Sequence, residues 1–188
     1  KSPGQVAERK SPLEVTGVFG GSPLEYDFHA AKGQQLSIEV VSQQAGQLTD
    51  PDVVLYSVTE SNGRQELKQL VYQDDGPSMG NPAMRMLNRD PVLTWTAPAV
   101  GRYRVTLRDQ QSGRRPSDSR RFQLRIAEAV PQVTVHAFVR YPHQNPVVSR
   151  HAGESLRPGS TVAIGLLAQR KGGFEGPVEI AAAGLPSR

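Results

Sequence analysis

The chain has 188 residues, no cysteine and a net charge of +4, with glycine and proline abundant and aromatics sparse. Such a length suits one large or two small domains, and the lack of cysteine excludes a disulfide framework and a thiolate metal site. No run approaches the roughly eighteen apolar residues that a membrane span needs, so membrane insertion by a helix is excluded. The small basic excess reads as solubility; nucleic acid would call for a basic stripe interleaved with stacking aromatics, and here most aromatics fall at core phases.

Residues 1–12 are charged and punctuated by proline, and read as a connector. Residues 15–19 form a short strand, closed by Gly20-Gly21-Ser22-Pro23. Leu24, Tyr26 and Phe28 then alternate with Glu25, Asp27 and His29, the period-two pattern of a strand with one dry and one wet face. After Ala31-Lys32-Gly33-Gln34, a further strand points Leu36, Ile38 and Val40 inward. Asp50-Pro51 opens a strand over 53–58, Ser61-Asn62-Gly63-Arg64 is a hairpin signal, and 67–72 returns to Asp74-Asp75-Gly76. A polar insertion over 77–89, with Met79, Met84, Met86 and Leu87, has room for one helical turn.

The stretch from Asp90 to Asp109 organises the rest. Val92 and Thr94 share one face and Leu93 and Trp95 the other; Tyr103, Val105 and Leu107 then alternate with Arg102, Arg104, Thr106 and Arg108. With Ala97-Pro98-Ala99-Val100-Gly101 as a corner, this predicts an antiparallel hairpin. A basic loop over 112–121 precedes a last strand with Phe122, Leu124 and Ile126 inward. The count comes to about eight short strands, which predicts an all-β fold, an antiparallel β-sandwich of jelly-roll type.

A seam falls at Ala127-Glu128-Ala129-Val130-Pro131, short and proline-stiffened, so it predicts semi-rigid coupling. Beyond it come strands over 133–139, 161–168 and 177–183, with turns at Leu156-Arg157-Pro158-Gly159 and after Lys171. That is about half of an immunoglobulin-like sandwich, so the expected organisation is a linker over 1–12, a sandwich over 13–128 and a partial, truncated second sandwich over 129–188.

Several phrases together resemble the bacterial pre-peptidase C-terminal domain, a jelly-roll-like module appended to secreted peptidases and surface proteins. They are Tyr26-Asp27-Phe28-His29-Ala30-Ala31-Lys32-Gly33-Gln34-Gln35-Leu36, then Asp50-Pro51-Asp52-Val53-Val54-Leu55-Tyr56, then Asp74-Asp75-Gly76, and the whole of 90–109. The similarity covers about residues 12–128, and departs from the pattern where relatives often carry Asp-x-Asp and this chain has Ser22-Pro23-Leu24-Glu25. Gly173-Phe174-Glu175-Gly176-Pro177-Val178-Glu179-Ile180 looks like the early half of a bacterial immunoglobulin-like domain. The resemblance implies a non-catalytic accessory module of a large exported bacterial protein, secreted, periplasmic or at the cell surface. Its partners would be other domains of the same polypeptide.

Three constellations carry candidate chemistry. Asp50, Asp74, Asp75, Asp90 and Asp109 all sit at strand ends that a meander would bring to one end of the sheets. Clustered carboxylates suit Ca²⁺, which takes six to eight oxygens and binds extracellular modules at about 10⁻⁴–10⁻³ M; the leading reading is that aspartates beside proline and glycine cap turns. Arg89, Arg108 and Arg114 are placed to neutralise them.

Arg102, Arg104 and Arg108 take the outward phase of one strand, and Arg121 and Arg125 that of another. If the two strands are neighbours, the result is a basic face able to hold an acidic polysaccharide or an extracellular protein. The same pattern also serves solubility and discourages edge pairing. Gly76-Pro77-Ser78-Met79-Gly80 matches a nucleophile pattern, but one that works at a strand-to-helix elbow, and no βαβ unit is present to supply it. His29, His136, His143 and His151 have no zinc-ligand spacing, and Trp95 and Tyr103 share the phase of core residues.

Overall fold

A computed structural model describes residues 12–81, 84–111, 118–140, 143–145, 148 and 162–184. Its strands are β1 (Leu13–Val18), β2 (Leu24–Ala30), β3 (Gln35–Val41), β4 (Pro51–Ser61), β5 (Arg64–Gln73), β6 (Met79–Asn81), β7 (Met84–Met86), β8 (Val92–Thr96), β9 (Gly101–Asp109), β10 (Arg121–Glu128), β11 (Gln132–Arg140) and β12 (Ala163–Lys171). Two short 3-10 turns, Gln43–Ala45 and Asp118–Arg120, complete the regular structure of the described residues.

Eight of these strands build an antiparallel sandwich. One sheet has the order β1-β10-β3-β8 and the other β2-β9-β4-β5. The pairing is nested: β1 lies beside β10, β2 beside β9, β3 beside β8 and β4 beside β5. The chain is one long hairpin rolled up on itself, which is a jelly roll. Its apex is the turn at Asn62 and Gly63, both with positive φ (52° and 71°), the mirror-image geometry that an Asn-Gly pair favours.

Alternation explains the core. Phe28, Leu36, Ile38, Val40, Leu55, Val105, Leu107, Leu124 and Ile126 are all fully buried between the sheets. Phe19 stacks on Phe122 at 4.6 Å between ring centroids. Trp95 meets Tyr103 edge-on at 4.8 Å and 71°, bridging the two sheets. Tyr103 is buried and donates its hydroxyl to the Ala99 carbonyl at 2.6 Å, while Trp95 stays half-buried at the rim.

Three local expectations are corrected. The stretch 90–109 is not a hairpin: β8 pairs with β3 and β9 with β2 and β4, so Ala97-Pro98-Ala99-Val100-Gly101 carries the chain from one sheet to the other. The crossing runs beside the one from β2 to β3, joined to it by Gly33 N–H to the Ala97 carbonyl (2.8 Å) and Ala97 N–H to the Gln34 carbonyl (2.9 Å). The insertion with room for a helical turn is instead the small ribbon β6–β7. Residues 177–183, expected to be a strand, have no regular structure. Proline opens that stretch and removes a ladder donor. The expected turn at 156–159 lies outside the described residues.

Beyond the sandwich, β11 and β12 form a two-stranded ribbon, paired from Gln132 opposite Lys171 to Arg140 opposite Ala163. One face of it is aliphatic, and Val135, Ile164 and Leu166 are exposed there.

Candidate functional site

Asp50, Asp74, Asp75, Asp90 and Asp109 do meet at one end of the sandwich, although the strands are not a meander. Pro51 pairs with Asp109 and Val53 with Gln73, which brings the start of β4, the end of β9 and the end of β5 together. Asp90, just before β8, reaches the 3-10 turn that follows β3.

Their partners are amides and guanidinium groups. Asp90 is fully buried; its Oδ2 accepts from the backbone N–H groups of Ser42 (3.0 Å) and Gln44 (2.9 Å), its Oδ1 from Gln43 (2.8 Å). Asp109 Oδ1 accepts from Asp50 N–H and Gln111 N–H, both at 3.0 Å. Its Oδ2 receives Nη2 of Arg120 at 2.5 Å. Arg89 lies 3.3 Å from Asp50, and Gln110 donates to Asp74.

Burial pushes the Asp50 carboxyl above its ordinary value, Arg89 pulls it back, and Asp74, Asp75 and Asp109 add repulsion. Among the described residues, no group of three or more His, Asp or Glu side chains is arranged to hold a metal ion. Such use of carboxylates satisfies the N–H groups of the loops, the buried one of Ser42 among them. Arg120, fully buried, is the residue that sequence reading passed over within the basic loop; Arg114 lies outside the described residues.

The five arginines are not brought together. β9 and β10 belong to different sheets, so Arg102, Arg104 and Arg108 share one outer face while Arg121 and Arg125 share the opposite one. The condition for a single basic face is therefore not met.

On the first face the guanidinium groups close on carboxylates in the same plane. Asp27, opposite Arg104 in the ladder, accepts from Arg104 Nε (2.6 Å) and Nη2 (3.1 Å) and from Arg102 Nε (2.6 Å). Arg104 also reaches Glu25 at 2.9 Å, and Arg108 grips Asp52 with two bonds of 3.0 Å. These hydrogen bonds raise the pKa of Arg104 and Arg108 further, Asp27 acting on the first and Asp52 on the second.

Asp27 is wholly buried although period two assigns it to the wet face. The side chains of Arg102 and Arg104 close over it. The signal was present as Asp-x-His facing Arg-x-Arg, but only pairing β2 with β9 reveals it.

On the opposite face Arg125 stands in register between Glu14 and Glu39. Arg121 lines a shallow cleft of about 500 Å³ with Thr16, Val18, Val41, Gln47 and Gln123.

Ser78 is exposed in the loop after β5. His29 is exposed on β2, His136 is half-buried on β11, His143 is exposed, and His151 lies outside the described residues. Of the described three, His29 and His136 lie in different sheets.

No family model matches the chain, and no curated protein does. Among solved structures, the chain is similar to the pre-peptidase C-terminal domain of collagenase from Bacillus anthracis. Identity is 13%, with 67% of this chain and 98% of that one covered at a TM-score of 0.45. It is also similar to PliG of Aeromonas hydrophila, a periplasmic inhibitor of g-type lysozyme, at 15% identity, 64% and 98% coverage and a TM-score of 0.41. The PliG of Salmonella Typhimurium follows at 16% identity, 64% and 96% coverage and 0.37.

Proposed function

We propose that this chain is a non-catalytic accessory module of a large exported bacterial protein, serving to space, attach or position another domain. The observation that carries this reading is the internal commitment of its charged groups. Arg102 and Arg104 close on Asp27, Arg108 on Asp52, Arg120 on Asp109, and Asp90 on three backbone amides. A catalytic acid, base or nucleophile must be able to change its partner during turnover. Groups locked into one another hold a shape instead. The resemblance of residues 12–128 to the pre-peptidase C-terminal type supports the same reading.

A second reading is a matrix- or carbohydrate-binding module whose ligand is an extracellular protein or acidic polysaccharide. The cleft beside Arg121 favours it.

One depletion experiment separates the two. The purified chain is incubated with insoluble and acidic polysaccharides and the supernatant measured. The accessory reading expects no saturable retention, and retention that Arg121→Ala abolishes overturns it in favour of the second. In parallel, any ester or peptide hydrolysis by the preparation is expected to survive Ser78→Ala unchanged; loss of turnover in that variant would make Ser78 a nucleophile.

A further inference from the structure

Only three residues, Ala129, Val130 and Pro131, separate β10 from β11. Ala129 donates its N–H to the Gln35 carbonyl at 3.0 Å, extending the β10–β3 ladder one rung past the end of the strand. The ribbon then folds back on this seam. β12 ends at Lys171, and Gly172 and Gly173 follow with φ of 59° and 79°, closed by Phe174 N–H to the Lys171 carbonyl at 3.2 Å.

The turn rests against the linker backbone. A Cβ placed on Gly172 would lie 2.1 Å from the Val130 carbonyl oxygen and 2.6 Å from its carbon. One on Gly173 would lie 3.4 Å from the Gln35 amide nitrogen. Gln35 thus holds the linker with its backbone and touches the turn with its side chain. The joint is narrow: a polar cavity of about 80 Å³ flanks it on one side, and a cleft of about 480 Å³ bordered by Asp75, Thr94 and Phe174 on the other.

Two units joined by a small polar interface normally move against each other. Here Gly172 meets Val130 backbone on backbone, at a position where positive φ and the lack of space both demand glycine. We propose that the Gly172–Val130 contact, with the Ala129–Gln35 hydrogen bond, fixes the angle between ribbon and sandwich so that the two turn in solution as one body. This rests on the accessory-module reading and sharpens it: the module sets a direction as well as a distance.

The test is ¹⁵N relaxation on the full 188-residue chain. The wild-type chain is expected to give one rotational correlation time for the amides of the sandwich and of β11–β12. Gly172→Val is expected to lose that shared value, the ribbon tumbling faster while the sandwich keeps its melting temperature. Gly63→Ala serves as the control, because that glycine also has positive φ but open space around it, and it should keep the shared value. Should Gly172→Val unfold the ribbon, Ala129→Pro decides, since it removes the linker donor without touching the turn. Two correlation times in the wild type overturn the proposal, as does retention of a single one in both Gly172→Val and Ala129→Pro. Ligand retention by the chain bears on the accessory reading alone, so the two can fail separately.

Discussion

Asp27 and Arg104 stand directly opposite each other on β2 and β9, joined by a bond of 2.6 Å, on an outer sheet face where Asp27 has no exposed surface at all. Removing Asp27 takes the shared acceptor from Arg102 and leaves the buried Arg104 guanidinium with Glu25, an exposed carboxylate, as its remaining acidic partner. Asp27→Ala should therefore cost about 3–5 kcal/mol of unfolding free energy. The double variant Asp27→Leu/Arg104→Met should recover most of that loss, because well-packed apolar residues replace buried ion pairs at little cost. Urea denaturation of both variants checks this. A single variant as stable as the wild type would show that the outer face is open to water.

Asp90 holds three N–H groups of the turn after β3 with one carboxylate. Asp90→Ala should destabilise by about 2 kcal/mol, since the buried Ser42 N–H left unpaired costs about 1–3 kcal/mol and the donors of Gln43 and Gln44 lose a charged acceptor. Amide hydrogen exchange at Ser42, Gln43 and Gln44 should accelerate in that variant before the core amides change.

The Asp50 carboxyl sits above its ordinary value of 3.8, chiefly through burial. A raised acid binds its proton more tightly in the folded state than in the unfolded one. Its contribution therefore makes stability fall as pH climbs from the unfolded value through the folded one. Asp50→Asn removes that contribution. The variant should gain stability relative to wild type as pH rises from 3.5 to 7, and denaturation midpoints at the two ends of that range measure the trend.

Amides and arginines are already the partners of most carboxylates at this end, so little is left for calcium. A site with a dissociation constant of about 1 mM would add about 1.4 kcal/mol at 10 mM Ca²⁺, a shift of at least about 2 °C in melting temperature. The expected shift is none. A rise of that size, reversed by chelator and lost in Asp74→Asn/Asp75→Asn, would establish a calcium site.

Much of the architecture was legible because it depends on alternation. Leu36, Ile38 and Val40, or Phe122, Leu124 and Ile126, announce their inward phase from spacing alone, and Asn62-Gly63 announces its hairpin. Partnership between strands is another matter. Alternation says which side chains face inward but not in which of two sheets, and a Pro/Gly corner serves a hairpin and an inter-sheet crossing equally well. For that reason 90–109 looked like one hairpin when its halves lie in opposite sheets. The same gap hid Asp27 and Arg120, whose burial depends on neighbours distant in sequence. Asp50 and Asp90, each before proline, and Asp75, before glycine, mark strand ends however the strands are connected.

Leu13, where the chain enters the sandwich, lies opposite Ile126, near where it leaves. Tension applied across the module would load the β1–β10 ladder at one rung and open it progressively, as a zipper parts, whereas a sheared pair would resist along its whole length. The domain should consequently yield at low force, peeling from its first and last strands inward. Force spectroscopy with attachment points at residues 12 and 128 would record this soft opening. A host protein carrying such a domain would gain a compliant element that lengthens under load before its neighbours break.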